Sequence, residues 1–169
     1  PVVLFVAELR DETVPAYAML QIKESDPIRW ERASIDEEDD DPLGSDDEGY
    51  PVDSSLGCFM DGATAKALMD YSHSVMPEDN EFRRALRGRV RRRLEHGCGW
   101  ANLDLKTEAN VPQVPDGFNV VAFDAGYGPG IYSTYMGRDA DDELTRIVTD
   151  FEVLEFRFNT FPWGGGRNG

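Results

Sequence analysis

The sequence predicts an α+β fold that is mainly β, built as an antiparallel sheet or partly open barrel with two short helices between the strands. Three observations predict this class. Short segments rich in β-branched and aromatic residues recur along the chain, turn residues separate them, and one helical pair interrupts them. The chain has 169 residues, of which 40% are hydrophobic, so we expect a single domain over residues 1–160.

The N-terminal part predicts three strands and a loop. Residues 2–9 form an apolar run, residues 16–22 alternate after a polar turn, and residues 28–33 alternate apolar with charged side chains. Residues 36–48 follow and contain nine acidic residues. Because this acidic tract has almost nothing apolar to bury, we expect an exposed, mobile loop.

Two helices are predicted in the middle of the chain. The first covers residues 63–71, with Asp61 as its N-cap. The second covers residues 78–96, where Pro77 opens the pattern and Gly97 closes it. Its apolar side chains recur every four residues and predict one buried stripe, which consists of Phe82, Leu86, Val90 and Leu94.

The C-terminal half predicts further strands and a tail. A polar loop at residues 137–142 indicates a hairpin, and the three glycines at residues 164–166 indicate a flexible tail over residues 161–169. The predicted strands are residues 100–105, 118–123, 131–136, 143–149 and 151–158.

Two segments carry a family resemblance. Residues 49–61 read GYPVDSSLGCFMD, residues 123–137 read FDAGYGPGIYSTYMG, and VTDF follows at residues 148–151. Together they resemble the bacterial family known as domain of unknown function forty-two forty-one. The resemblance implies no activity, substrate or cofactor. It implies an aspartate where this chain has Pro129, and a further N-terminal segment, so we expect a shortened form.

The same two segments hold the candidate catalytic residues, which are Asp53, Cys58, Asp61, Asp124 and Tyr132. One interpretation is a hydrolase or lyase site formed by residues 53–61 and 124–132. In it Asp53 is a base or ligand, Cys58 is a nucleophile or packing residue, and Asp61 and Asp124 are supporting acids. The other is structural: Asp53 makes a turn, Cys58 packs in the core and Asp61 caps a helix. We favour the structural interpretation and leave the enzymatic one open.

The glycines of the second segment favour a tight turn or bulge between strands. A phosphate-binding loop needs a helix to follow, whereas residues 131–136 read as a strand. The histidines and cysteines match no zinc motif, so we expect no metal and no cofactor. They are Cys58, His73, His96 and Cys98.

The net charge of -16 argues against nucleic acid and anionic membranes as partners. No apolar run approaches the roughly 20 residues that cross a bilayer. Two widely separated cysteines favour a reduced, cytoplasmic location.

Seven arginines nevertheless crowd the second helix, and five of them form a candidate binding face: Arg83, Arg84, Arg87, Arg91 and Arg92. Three interpretations stay open. The face is solvated, or it pairs with the acidic tract, or it binds an acidic protein partner. The sequence therefore predicts a protein-binding or accessory module, with self-association included. An immunity-type domain that neutralises a basic toxin is one form of it by analogy.

Overall fold

The computed structural model describes residues 1–33, 49–75, 81–95, 99–108 and 116–154, without the side chains of residues 75, 81–83 and 95. The acidic tract 36–48 and the tail 161–169 lie outside the described residues. Within them the chain is mainly β, with antiparallel strand pairs throughout and two helices between strands. The predicted fold class is confirmed, and neither described sheet closes on itself. The chain divides into two compact units.

The first unit comprises Pro1–Ser55 and Ala125–Gly169. Its strands are β1 (Val2–Leu9), β2 (Glu12–Gln21), β3 (Arg29–Arg32), β4 (Tyr50–Val52), β8 (Gly130–Arg138) and β9 (Leu144–Asp150). The main sheet has the order β1-β2-β9-β8-β3, and β4 pairs with another part of β8.

One core cluster of the first unit lies on one face of this sheet. Tyr17, Trp30, Tyr135 and Val148 are buried there together. Cross-strand pairing places them on the same face, because Met19 and Tyr135 both lie opposite Val148, from the strands on either side. Aromatic and β-branched side chains suit such a half-buried pleated surface, and this explains why these segments become strands.

The second unit comprises Leu56–Asp124. Its three-stranded sheet has the order β5-β7-β6, and both helices pack against it. The elements are β5 (Leu56–Phe59), α1 (Gly62–Val75), α2 (Glu81–Glu95), β6 (Trp100–Asp104) and β7 (Asn119–Asp124). The predicted stripe of α2 is confirmed for Val90 and Leu94, which are buried, and for Leu86, which packs beside them. The side chain of Phe82 lies outside the described part.

The structure corrects the predicted strands at two places. The sequence analysis did not predict β4 and β5, which are three and four residues long. The strand predicted over residues 151–158 is wrong for its described residues, 151–154, which follow the end of β9 as irregular chain. The Asp150 carboxylate accepts a 2.8 Å hydrogen bond from the Glu152 amide, and Glu152 has a φ of +56°. That local turn ends the strand.

No helix among the described residues is long and apolar enough to cross a membrane. Helix α1 is 14 residues long and α2 is 15 residues long, and α2 carries many charged side chains.

Candidate functional site

The glycine segment after β7 is a tight turn, as predicted. The Gly128 amide donates a 2.9 Å hydrogen bond to the Ala125 carbonyl oxygen, which closes a four-residue turn. Gly126 and Gly128 have φ values of +47° and +125°, which L side chains rarely adopt. A Cβ on Gly126 would also lie 2.7 Å from the Cβ of Phe151. The glycines therefore fit the backbone of the turn, and β8 follows it directly.

Tyr132 braces this turn. Its ring is buried, with an edge-on contact to Phe151 at a centroid distance of 5.2 Å. Its hydroxyl donates a 2.7 Å hydrogen bond to the carbonyl oxygen of Gly128. Burial raises the pKa of the phenol, and the charge of Glu152 raises it further. At neutral pH Tyr132 is thus a neutral hydrogen-bond donor to the turn.

Asp53 follows β4 and is exposed. No hydrogen bond or ion pair of its side chain to another described residue is found. The connection from β4 to β5 bends at Ser55, whose φ is +60°. The Ser55 carbonyl oxygen accepts a 3.0 Å hydrogen bond from the Ala125 amide, which holds this connection against the glycine turn. Asp53 and Tyr132 both belong to the first unit.

Asp61 caps helix α1, as predicted. Its Oδ1 accepts a 2.7 Å hydrogen bond from the Thr64 amide, and its Oδ2 accepts a 3.0 Å bond from the Thr64 hydroxyl. These hydrogen bonds lower the pKa of the carboxyl group below its ordinary value, although burial opposes them slightly. Both carboxylate oxygens are therefore engaged at the helix N-terminus.

Cys58 lies in β5 and packs against the core of the second unit. It pairs across the strands with Ala122, and it is only partly buried. The thiol is not part of a disulfide. Cys58 thus packs against the core without being fully buried in it.

Asp124 ends β7 on the same sheet face as Cys58, two cross-strand pairs further along the sheet. Its β5 partner is Leu56, and its amide donates a 3.0 Å hydrogen bond to the Gly99 carbonyl oxygen. Burial raises the pKa of the carboxyl group above its ordinary value, and the charge of Arg91 lowers it in part. Asp124 is therefore the one candidate carboxyl group among the described residues whose pKa is raised, the direction that a general acid or base near neutral pH uses.

The arginines of α2 form an exposed basic surface. Arg84, Arg87 and Arg91 follow one another at three- and four-residue spacing, so they are neighbours on the helix. Arg92 lies two turns beyond Arg84, and all four are exposed. We call Arg84, Arg87, Arg91 and Arg92 the arginine surface. The fifth predicted residue, Arg83, has a side chain outside the described part of the chain.

Most of the arginine surface is unpaired. In the described parts of the chain no hydrogen bond or ion pair of Arg84, Arg87 or Arg92 is found. Arg93, on another side of the helix, forms an ion pair with Glu108. Arg89 is half-buried and has interactions of its own. Among the arginines of α2 whose side chains are described, some therefore form hydrogen bonds or ion pairs, and others are found without one.

Charge divides unevenly between the two units. Residues 56–124 contain ten acidic and nine basic residues, which leaves a net charge of -1. The other residues carry the remaining -15 of the total of -16. The arginine surface therefore belongs to a nearly neutral unit of a strongly acidic chain.

Metal ligation finds no support in the described residues, where no three His, Cys, Asp or Glu side chains are grouped to hold an ion. One acidic residue was missed by the sequence analysis as a candidate. Asp150 is buried in β9 and lies opposite Tyr17 of β2. Burial raises the pKa of Tyr17, and the charge of Asp150 raises it further. In the sequence Asp150 belongs to the VTDF stretch at residues 148–151, which carries part of the family resemblance.

Comparison with known protein families gives a match. The family model described as "Protein of unknown function (DUF4241)" matches residues 1–149, which include both motif segments. No curated protein and no solved structure matches the chain significantly.

Proposed function

The chain belongs to this family of unknown function, and we propose that it is a protein-binding module whose arginine surface receives an acidic surface of its partner. The observation that carries the proposal is the unpaired state of Arg84, Arg87 and Arg92 within the described residues of a chain with net charge -16. Among the carboxylates that the structure describes, none pairs with these exposed guanidiniums.

The spacing on α2 has an energetic cost that a partner would remove. Like charges three or four residues apart destabilise a helix by about 0.2–0.5 kcal/mol per pair. Arg84 and Arg87 form one such pair, and Arg87 and Arg91 form another. Carboxylates of a partner would relieve this repulsion. Guanidinium groups also bind carboxylates through two parallel hydrogen bonds, which favours arginine over lysine at protein interfaces.

Electrostatics favours an acidic protein over a nucleic acid. The charge of -15 outside residues 56–124 repels a long polyanion. A folded protein presents its carboxylates as a limited patch. At physiological salt charges are screened beyond about 8 Å, so such a patch interacts mainly with the charges closest to it.

Affinity capture from cells of the source organism, with identification of the bound protein, tests the proposal. The double variant Arg84→Glu/Arg87→Glu should lose the partner, with binding weakened by about tenfold or more. The matched control is Lys66→Glu/Lys106→Glu, which makes the same charge change in the same unit. Those lysines form exposed ion pairs with Asp70 and Asp116, which contribute little to stability.

Equal capture by both double variants contradicts the proposal. The immunity-type form of the function predicts a different pattern. In that form a basic toxin would be bound through the acidic residues, so charge reversal of the arginines would leave its binding unchanged or stronger.

Asp124 keeps the hydrolase or lyase interpretation as a second candidate function. The observation that favours it is the raised pKa of a half-buried carboxyl group beside Arg91. Chromogenic ester and phosphoester substrates test it. The enzymatic proposal expects turnover by the wild-type chain that Asp124→Asn abolishes, and turnover that survives this substitution contradicts it.

A further inference from the structure

Strand β1 forms one edge of the main sheet of the first unit. Within the described residues it pairs with β2 alone. One side of an edge strand presents backbone N–H and C=O groups that can pair with another strand. At eight residues, β1 is long enough to offer a continuous row of them.

This edge lacks the usual protection against pairing. Natural edge strands commonly carry charged side chains, above all lysine, or proline. Residues 2–7 and 13–21 of β1 and β2 contain no charged side chain, and β1 itself contains no proline. A β-bulge is another protective device, but the one register shift along β1, between Phe5 and Val6, places its extra residue, Ala16, on β2 and not on the edge strand.

Apolar side chains are exposed along the same edge. Val3 is 37% exposed, Phe5 36% and Val6 50%. Val3 and Phe5 lie on one face of the sheet, since they are two residues apart before the register shift. An exposed, apolar and uncharged strand edge on a chain with net charge -16 marks a surface suited to burial.

We propose that β1 pairs antiparallel with β1 of a second copy of this chain, across a two-fold axis near Leu4, to form a continuous sheet. In this register Val3 of each copy lies opposite Phe5 of the other, an aromatic–β-branched pair of the kind that stabilises sheets. Residues 2–6 of the two β1 strands overlap in this register, and they contain no charged side chain. A second β1 strand therefore provides apolar cross-strand partners for the first and places no charge opposite another.

The salt dependence distinguishes this contact from the arginine surface. Two copies that each carry -16 repel one another, and salt screens that repulsion. The β1 dimer should therefore become tighter as salt is added, whereas binding of an acidic partner to α2 should weaken. Each proposal can fail without the other.

Sedimentation equilibrium from micromolar to millimolar chain concentrations tests the dimer. The variants Val3→Lys and Val6→Lys should raise the dissociation constant by about tenfold or more, because they place charge on the shared edge. The control is Met69→Lys on α1, which adds the same charge at a residue that is 59% exposed. It should leave the dissociation constant unchanged, and circular dichroism checks that each variant is folded.

Hydrogen exchange of the wild-type chain provides a test without any substitution. The outward-facing amides of Val2, Leu4 and Val6 should gain protection as the chain concentration rises, and those of β3, at the other edge, should not. A chain that is monomeric at every concentration and salt level overturns the proposal. So does a dimer that both lysine variants leave intact.

Discussion

The hydroxyl of Tyr132 donates a 2.7 Å hydrogen bond to the carbonyl oxygen of Gly128, four residues earlier, and so ties the glycine turn to the strand that follows it. Tyr132, which the sequence offered as a candidate catalytic residue, and the glycine turn are therefore parts of one brace. The same holds at Asp61, whose carboxylate is engaged by Thr64 at the start of α1. These contacts lead to stability predictions that are independent of any partner.

Tyr132→Phe should destabilise the fold by about 1 kcal/mol, because it removes the hydrogen bond and leaves the Gly128 carbonyl without this donor. Chemical denaturation measures the change in the free energy of unfolding. The matched control is Tyr127→Phe in the same turn, where the ring is 63% exposed and the effect should be close to zero. Equal effects of the two substitutions would show that the hydroxyl of Tyr132 does not brace the turn.

Gly128→Ala should destabilise the fold by about 1–3 kcal/mol. The substitution forces an L side chain to a φ of +125° and brings its Cβ to 3.1 Å from the Ser55 hydroxyl oxygen. Gly62→Ala is the control, since a Cβ at that position in α1 meets nothing within 4 Å. It should be neutral or stabilising, because alanine favours a helix over glycine. A neutral Gly128→Ala contradicts the account of the turn.

Asp61→Ala should lower the melting temperature by about 2–4 °C near neutral pH, because α1 loses its N-cap. The folded carboxyl group has a pKa below the ordinary aspartate value of 3.8, so its stabilisation is present above that pH. It disappears as the pH falls through the lowered pKa. The difference between wild type and variant should therefore shrink in acid, and a difference that is constant down to the lowest pH would argue against a capping carboxylate.

Asp124→Asn should raise stability near neutral pH. Burial raises the pKa of this carboxyl group above 3.8, so the ionised form is destabilising in the folded state. Wild-type stability therefore decreases as the pH rises from about 4 through the raised pKa, and the asparagine variant should not show this decrease. Thermal unfolding over a pH series measures it. A variant less stable than wild type at neutral pH would mean that the ionised group is stabilised by Arg91 overall.

The parts of the fold that sequence predicted correctly are those with strong periodicity. The apolar run at residues 2–9 is β1 with the same bounds, and the four-residue spacing around Val90 identified the buried side of α2. Strands β4 and β5 were missed because they are short and lie among glycine and serine residues that indicate turns. The end of β9 depends on one hydrogen bond from the Glu152 amide to Asp150, which no hydrophobic pattern records.

The sequence identified which residues were candidates for a site better than it identified what each of them does. Sequence identified Asp61 as a cap, because an aspartate before a helical pattern has a known local use. It could not separate Arg93 from Arg92, since the ion pair of Arg93 is made with Glu108 from a distant part of the chain. Nor could it assign the raised pKa of Asp124, which results from burial in the folded sheet. Long-range contacts, and not composition, decide these roles.

The salt dependence of partner binding tests the central claim most directly. The captured protein is titrated with wild-type chain and with Arg84→Glu/Arg87→Glu at increasing ionic strength. Attraction between the arginine surface and partner carboxylates predicts that wild-type affinity falls as salt rises, and that the variant is weaker at low salt with little further loss. Wild-type affinity that stays constant or increases with salt, or a variant that binds as tightly as wild type, would contradict the claim.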